Sequence, residues 1–128
     1  MDINLSNLHL ATEQQVFDAV VAHARKQGCR SFRKMSGEHL LERCAYRGKN
    51  NTKCFAGIFI SDGQYNPKYE QNSWSALVHK SIAPTTHKEL IMSLQNVHDT
   101  VPVQYWEVEF SYIAKDYGLQ YTPPNIEA

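Results

Sequence analysis

Apolar residues recur at helical spacing in four segments of the chain, and the first segment has the clearest start and end. Thr12-Glu13-Gln14-Gln15 has the spacing of a capping box, in which the Thr12 hydroxyl accepts from the Gln15 amide and the Gln15 side chain reaches back. Gly28 suits the left-handed conformation that ends many helices. The stripe between them predicts a helix with one buried face. Its members are Val16, Phe17, Val20, Val21 and Ala24.

Three later stripes each predict a further helix. The first of these helices ends before Pro84. The second helix begins at Thr86-His87-Lys88-Glu89, which again has capping-box spacing. The third helix begins near Pro102 and ends at Gly118. The stripes are Trp74, Leu77, Val78 and Ile82, then Leu90, Ile91, Leu94 and Val97, and finally Trp106, Phe110, Ile113 and Tyr117.

The segment between residues 44 and 60 has two interpretations. Cys44-Ala45-Tyr46-Arg47 can form a short strand. Residues 52–60 can pair with it as a second strand through the turn at Lys49-Asn50-Asn51, or they can form a helix in which Gly57 allows close packing. Periodicity does not decide the structure of such a short apolar run. We favour the helix.

Together these elements predict a helix-rich α+β fold. Four or five helices within 128 residues leave room for at most a small β-hairpin, and an all-α fold is the alternative. A chain of this length can bury about two-thirds of its unfolded surface, which suffices for one compact domain. We expect an N-terminal arm over residues 1–11, a single helical domain over 12–119 and a C-terminal tail over 120–128.

Composition points to the cytoplasm. No apolar run approaches the ~20 residues that span a bilayer, so no membrane partner is expected. Met1-Asp2-Ile3-Asn4 lacks the basic and apolar regions of a signal peptide. The chain has three cysteines, an odd number that argues against a secreted disulfide framework and for a reducing compartment.

Charge cancels over the whole chain but not locally. Thirteen basic residues balance thirteen acidic ones, yet residues 25–53 hold nine basic residues against two acidic ones, and residues 99–128 hold one lysine against five acids. The basic segment supplies the candidate binding residues, which are Arg30, Arg33, Lys34, Arg43, Arg47, Lys49 and Lys53, with Tyr46 among them. This pattern suits nucleic-acid phosphates, an acidic protein surface, or a solvated face that balances the acidic last helix.

Motifs for catalysis and metal binding are absent from the sequence. Cys29, Cys44 and Cys54 lack the close spacing typical of zinc sites, and none of the six histidines forms a close pair. No nucleophile elbow, metalloprotease motif or phosphate-binding loop occurs. We therefore expect no enzyme, no catalytic or metal-ligating residues and no cofactor. A metal or thiol enzyme that uses Cys44, Cys54 and a histidine is the second alternative.

Aromatic residues near turn-forming residues add candidates for a contact surface. Tyr65, Tyr69 and Tyr121 lie near proline or asparagine, in segments that are predicted to be loops. Tyrosine is favoured at interfaces because it buries a large area and keeps a polar group. These residues favour a protein partner.

Four segments together resemble a family of small bacteriophage and prophage proteins that has no assigned activity. They are Val16-Phe17-Asp18-x-Val20-Val21-x-His23, Cys44-Ala45-Tyr46-Arg47-Gly48, Lys53-Cys54-x-x-Gly57 and Leu94-Gln95-x-x-His98-Asp99. The resemblance covers roughly residues 12–119, and its most specific part is CAYRG followed by KC. It implies a bacterial host cytoplasm during infection.

The expected function is therefore binding. We predict a non-enzymatic phage-type protein that binds and inhibits a host or antiphage-defence protein, for example a CRISPR-type nucleic-acid-handling complex. Such a counter-defence inhibitor (an anti-CRISPR in that example) needs a protein partner and no cofactor. The first alternative is a nucleic-acid-binding accessory protein that uses residues 25–53. The sequence leaves the oligomeric state open.

Overall fold

The computed structural model describes residues 2–34 and 42–124, and within them the fold is helix-rich α+β. This confirms the predicted fold class. The helices are α1 (Glu13–Gln27), α2 (Trp74–His79), α3 (Lys88–Thr100) and α4 (Trp106–Tyr117), and the strands are β1 (Phe32–Lys34) and β2 (Glu42–Cys44). None of the described helices has the length and apolar character needed to cross a bilayer.

Helix α1 begins and ends as its sequence predicts. The Gln15 amide donates to Thr12 Oγ1 at 3.0 Å, and the Thr12 amide donates to Gln15 Oε1 at 2.9 Å. Gly28 ends the helix in the left-handed conformation, with φ of 67°. All five predicted stripe residues are buried. Local capping and periodicity therefore determine this element together.

The β-hairpin does not lie where the alternative strand interpretation of residues 44–60 placed it. Strands β1 and β2 pair antiparallel, with Phe32 opposite Cys44, so the strand ends at Cys44 and its partner is not the 52–60 segment. That segment forms a 3-10 turn over Ala56–Phe59. Gly57 lies so close to residue 46 that an added Cβ would stand 2.6 Å from the Tyr46 carbonyl oxygen. The close packing at Gly57 is confirmed, but only one turn of helix forms around it.

Helix α3 lacks its predicted capping box. His87 occupies the N-cap position with φ of 64° and no side-chain cap, so Thr86 lies one residue too early to cap the first turn. The other predicted helix ends agree with the structure: α2 ends at His79, before Pro84, and Gly118 ends α4 in the left-handed conformation. At its start, α2 is capped by Ser73, which accepts from the Ala76 amide. The apolar stripe of α3 is buried as expected.

Phe55 lies at the centre of an aromatic cluster that joins the helices. Its ring meets Trp106 at 4.8 Å and His98 at 5.1 Å edge to face, and Phe110 at 5.7 Å. Such ring pairs add to the stability that area burial provides. Helix α3 packs against α1, α2 and α4, which fixes one face of α3 in the core and leaves the other open.

Both ends of the described chain contact the domain. Leu8 is fully buried in the core, and the Gln120 amide donates to Gln14 Oε1 at 2.9 Å. Residues 125–128 of the predicted tail lie outside the described residues. The boundaries of arm and tail stay predictions.

Candidate functional site

A cavity of about 470 Å³ runs along the outer face of α3. We call it the α3 cavity. Met92, Asn96 and Asp99 are spaced four and three residues apart, so α3 presents them on one face. The remaining wall comes from the end of β2 and the segment before α2. The full lining is Cys44, Ala45, Tyr46, Cys54, Glu70, Gln71, Asn72, Ser73, Trp74, Met92, Gln95, Asn96 and Asp99.

Two neutral donors hold Asp99 in this cavity wall. Gln95, one turn earlier on α3, donates from Nε2 to Asp99 Oδ1 at 2.7 Å, and His98 Nδ1 lies 2.9 Å from the same oxygen. The Cys44 sulfur lies within 4.8 Å of this carboxylate. Burial raises the pKa of Asp99, but the hydrogen bond from His98 and the nearby Cys44 thiol outweigh it and leave that pKa below its ordinary value. The Asp99 side chain keeps 40% of its surface exposed and is ionised at neutral pH.

The tautomer of His98 follows from its two partners. The Ser31 backbone amide donates to His98 Nε2 at 2.9 Å, so this nitrogen is an acceptor without a proton. The proton of the neutral imidazole is therefore on Nδ1, which donates it to Asp99. His98 is fully buried against Phe55 and Trp106, and it links the start of the hairpin to the cavity wall.

Cys44, His98 and Asp99 bring their ligand-type atoms within 4.8 Å of one another, which is the geometry a metal ion would need. The hydrogen bonds oppose that role. A metal on Nδ1 would displace the proton that Asp99 accepts, while Nε2 still accepts from Ser31, and the ring would have to become an imidazolate. The three residues fit a hydrogen-bonded chain better than a metal centre.

The thiols that line the cavity are poor nucleophiles. Burial raises the pKa of the Cys44 thiol to about 12, and the nearby Asp99 charge adds to the effect. Burial also raises the pKa of Cys54, which is fully buried, well above its ordinary value. Because the thiolate is the reactive form, neither group is activated for attack at neutral pH.

Glu70 is the second carboxylate of the cavity wall, and it accepts three hydrogen bonds and forms an ion pair. The backbone amides of Tyr46 and Arg47 donate to it at 3.0 and 3.1 Å, and the Tyr65 hydroxyl donates at 2.6 Å. Arg33 forms an ion pair with it at 3.4 Å. Only 7% of the Glu70 side chain is exposed. This carboxylate therefore stabilises the fold.

The basic residues predicted for binding mostly have partners inside the molecule. Arg47 donates to the carbonyl oxygens of Tyr46, Gly57 and Ile60, and its guanidinium lies 4.9 Å from the centre of the Tyr65 ring. Arg30 donates to the Val101 carbonyl at 2.6 Å. These two arginines connect segments of the fold.

The other predicted binding residues are spread over the hairpin and the following loop. Lys53 lies 3.7 Å from Asp62. Lys49 is exposed at the turn after β2, while Lys34 and Arg43 belong to the strands. Tyr46 is buried and donates from its hydroxyl to the Asn72 carbonyl, so its ring lines the α3 cavity and does not offer a stacking surface.

The exposed aromatic residues lie on α4 and the turn before it. Tyr105, Val108 and Tyr112 have 55%, 47% and 58% of their surface exposed, and their spacing of three and four residues places them on one side. We call these three residues the α4 outer face. The loop tyrosines predicted for contact behave differently: Tyr65 and Tyr121 are partly buried against the core and donate to Glu70 and Glu107.

Sequence reasoning did not find Asp99 and His98 as site residues. Their segment appeared only as part of the family resemblance. The sequence contained one indication of a site at His98. This residue falls on the apolar face of α3, seven residues after Ile91 and four after Leu94. A histidine in such a position needs buried hydrogen-bond partners. Those partners come from residues 31 and 99, and the first is distant in sequence.

Comparison with known proteins finds no matching family model, no matching curated protein and no matching solved structure.

Proposed function

We propose that this chain is a non-enzymatic binding protein that docks on another protein through the α4 outer face. The exposure of Tyr105, Val108 and Tyr112 on one side of α4 carries the proposal. The opposite side of the helix already supplies the core with Trp106, Phe110 and Ile113. Folding therefore does not require a second apolar side, whereas protein interfaces are enriched in tyrosine.

Charge on α4 indicates the chemistry of the partner. Glu109 lies between Val108 and Tyr112, and Asp116 follows Tyr112 by one turn. Neither carboxylate takes part in an ion pair among the residues that the structure describes. An aromatic face with unpaired acids complements a basic surface that also has apolar pockets. Nucleic-acid-binding surfaces of proteins combine these two properties.

The partner class follows from this complementarity together with the resemblance to phage proteins. We infer a host or antiphage-defence protein that handles nucleic acid, in a bacterial cytoplasm. Occupation of its basic surface would exclude the nucleic acid and so inhibit it. A CRISPR-type complex is one example of such a target.

Two observations support binding to a protein over the alternatives. The Cys44 and Cys54 thiols have raised pKa values, which disfavours a thiol enzyme. Arg30 and Arg47 bind backbone carbonyls within the fold, which disfavours direct contact between these residues and phosphate. Residues 25–53 stay the alternative surface, for nucleic acid.

The test compares two surface variants of the full chain. Affinity capture from nuclease-treated bacterial lysate identifies candidates, and each is then purified and titrated by calorimetry. We expect stoichiometric binding that the double variant Tyr105→Ala/Tyr112→Ala abolishes. Leu10→Ala, which removes an exposed apolar residue elsewhere, is the matched control and should bind normally. The partner's own oligonucleotide should compete with the chain.

Three results would overturn the proposal. They are normal affinity of the double tyrosine variant for the purified partner, simultaneous binding of oligonucleotide and chain, and failure to capture any partner from several hosts.

A further inference from the structure

The α3 cavity has the size and the walls of a ligand site. Its volume of about 470 Å³ falls within the range of small-ligand pockets, roughly 300–1,000 Å³. Trp74, Tyr46 and Met92 provide apolar wall, while Asn72, Gln95 and Asn96 provide amide groups. This mixture of apolar surface with a few polar groups is typical of sites that bind one oriented ligand.

The described lining of this cavity carries negative charge, and no cation of the described chain is paired with Asp99. Among the described residues, the lining contains the two carboxylates Glu70 and Asp99 and no lysine or arginine. Glu70 has Arg33 as its counter-ion, whereas no lysine or arginine of the described chain lies within 4.0 Å of an Asp99 oxygen. Two cations of the described chain serve other groups: Arg30 donates to the Val101 carbonyl, and Lys80 donates to Oδ1 of Asn72, a residue of the lining.

Asp99 is also preorganised for a ligand. His98 and Gln95 hold its carboxylate from the protein side, and 40% of the side chain stays open. A carboxylate fixed in this way loses little further freedom when a cation binds, which favours affinity. Because these donors carry no charge, the negative charge of the Asp99 carboxylate stays available to a cationic ligand.

We propose that the α3 cavity binds a guanidinium or ammonium group, with Asp99 as its counter-ion and Trp74 and Met92 against its aliphatic stem. Charge-assisted hydrogen bonds from such a group to a carboxylate are about twice as strong as neutral ones. An anion is excluded by the two carboxylates. A metal ion is disfavoured because His98 has both nitrogens occupied.

A hydrogen-bond acceptor beside the cation would complete the ligand. The indole N–H of Trp74 is buried and has no acceptor among the described residues, which is an unusual and costly state for a donor. Because this nitrogen is fully buried, a peptide carbonyl next to an arginine or lysine side chain would supply the acceptor only if the indole turns toward the cavity. The cation can belong to a polypeptide or to a free small amine, and the test separates these sources.

The test uses the full chain labelled with ¹⁵N, whose two tryptophans give two indole N–H signals. N-acetyl-arginine amide is titrated to about 10 mM, because a single small contact corresponds to millimolar affinity. We expect a saturable shift of the Trp74 signal. The Trp106 signal should stay in place, since its N–H donates to the Val101 carbonyl at 3.0 Å within the core.

Three probes define the ligand. N-acetyl-citrulline amide has nearly the same shape without the charge, and it should give no saturable shift. Binding of the arginine amide but not of agmatine identifies a peptide side chain, and binding of agmatine alone identifies a small amine. Binding of both supports the shared cationic chemistry. Binding of neither, or equal binding of the citrulline probe, overturns the proposal.

Three variants test the assignment of Asp99. Asp99→Asn keeps the shape and should weaken binding at least about tenfold, whereas Asp116→Asn on α4 should leave it unchanged. Met92→Lys leaves the Asp99 hydrogen bonds intact and places a competing cation at the cavity wall, so it should abolish binding even if Asp99→Asn folds poorly. Normal binding by Met92→Lys would contradict the proposal. This site is separate from the α4 outer face, so each proposal can fail without the other.

Discussion

Glu70 and Asp99 are two carboxylates in the wall of one cavity, and they are held in opposite ways. Glu70 accepts from two backbone amides and a tyrosine hydroxyl, has Arg33 beside it and is almost completely buried. Asp99 accepts only from neutral donors and stays 40% exposed. The comparison shows that the presence of a carboxylate alone does not identify a binding site. The carboxylate that can bind a cation is the one that the fold leaves without a counter-ion.

The same contrast separates the basic segment from α4. Arg47 and Arg30 lie in the most basic part of the sequence, yet they bind carbonyl groups of the protein itself. Glu109 and Asp116 lie in a less charged part, yet the described structure pairs neither of them. Contact chemistry therefore favours the acidic helix over the basic segment as the surface for a partner.

Replacing Arg47 should have the largest effect on stability. Arg47→Met removes a mostly buried guanidinium, leaves the Ile60 carbonyl without its side-chain donor and removes one of the two donors to the Gly57 carbonyl. We expect the free energy of unfolding to fall by about 3 kcal/mol. Urea unfolding measures it. Lys53→Met removes a more exposed cation that only approaches Asp62, and a loss of less than about 1 kcal/mol is expected. Equal losses would show that Arg47 is a surface charge.

Glu70→Gln should have the next largest effect. The new amide would direct N–H groups at donors that now bind the carboxylate, and Arg33 would lose its counter-ion. We expect a loss of about 2 kcal/mol in urea unfolding. Stability equal to that of the parent chain would contradict the assignment of Glu70 to the fold.

His23 should give a smaller effect that depends on pH. Burial lowers the pKa of His23 below its ordinary value of 6.5, although its Nε2 lies 2.8 Å from the Lys53 carbonyl. The unfolded chain therefore binds the proton more readily, and stability is full above pH 6.5 and falls as pH decreases below it. His23→Gln should flatten this decline between pH 7 and 5.5 in thermal unfolding, whereas His9→Gln, at an exposed position, should not.

Direct nucleic-acid binding should be weak or absent. Since Arg30, Arg33, Arg47 and Lys53 have partners within the protein, few of the predicted residues can neutralise phosphates. Fluorescence anisotropy with a labelled oligonucleotide at 50 and 200 mM salt (roughly the range over which phosphate contacts lose most affinity) checks this. Tight binding that weakens steeply with salt would favour the alternative function.

The sequence predicted the helices better than the hairpin. Helix α1 has a capping box, an apolar stripe and a terminal glycine, all of which act within one segment. The strands are three residues long, so neither has enough positions to show an alternating pattern. Residues 52–60 are buried on more than one side, because Gly57 touches the Tyr46 backbone. Neither the two-residue period of a strand nor the period of a helix describes such a segment.

The candidate site could not be predicted from local patterns. In the sequence, Asp99 is an ordinary polar residue near a helix end. Its role depends on two distant residues: Cys44, which lies beside it, and Ser31, whose amide fixes the tautomer of the neighbouring His98. The cavity combines residues from β2, from the segment before α2 and from α3. Conversely, the basic segment formed the clearest sequence signal, but carbonyl groups distant along the chain accept from its arginines. Contacts between distant segments decide both outcomes.

One paired measurement tests the contrast between the two carboxylates most directly. Glu70→Gln and Asp99→Asn are compared with the parent chain for urea stability and for affinity toward N-acetyl-arginine amide. We predict a crossed result: Glu70→Gln loses about 2 kcal/mol of stability and keeps the probe affinity of its folded fraction, while Asp99→Asn stays nearly as stable and loses the affinity. If instead Asp99→Asn is the less stable variant and still binds the probe, the account is wrong.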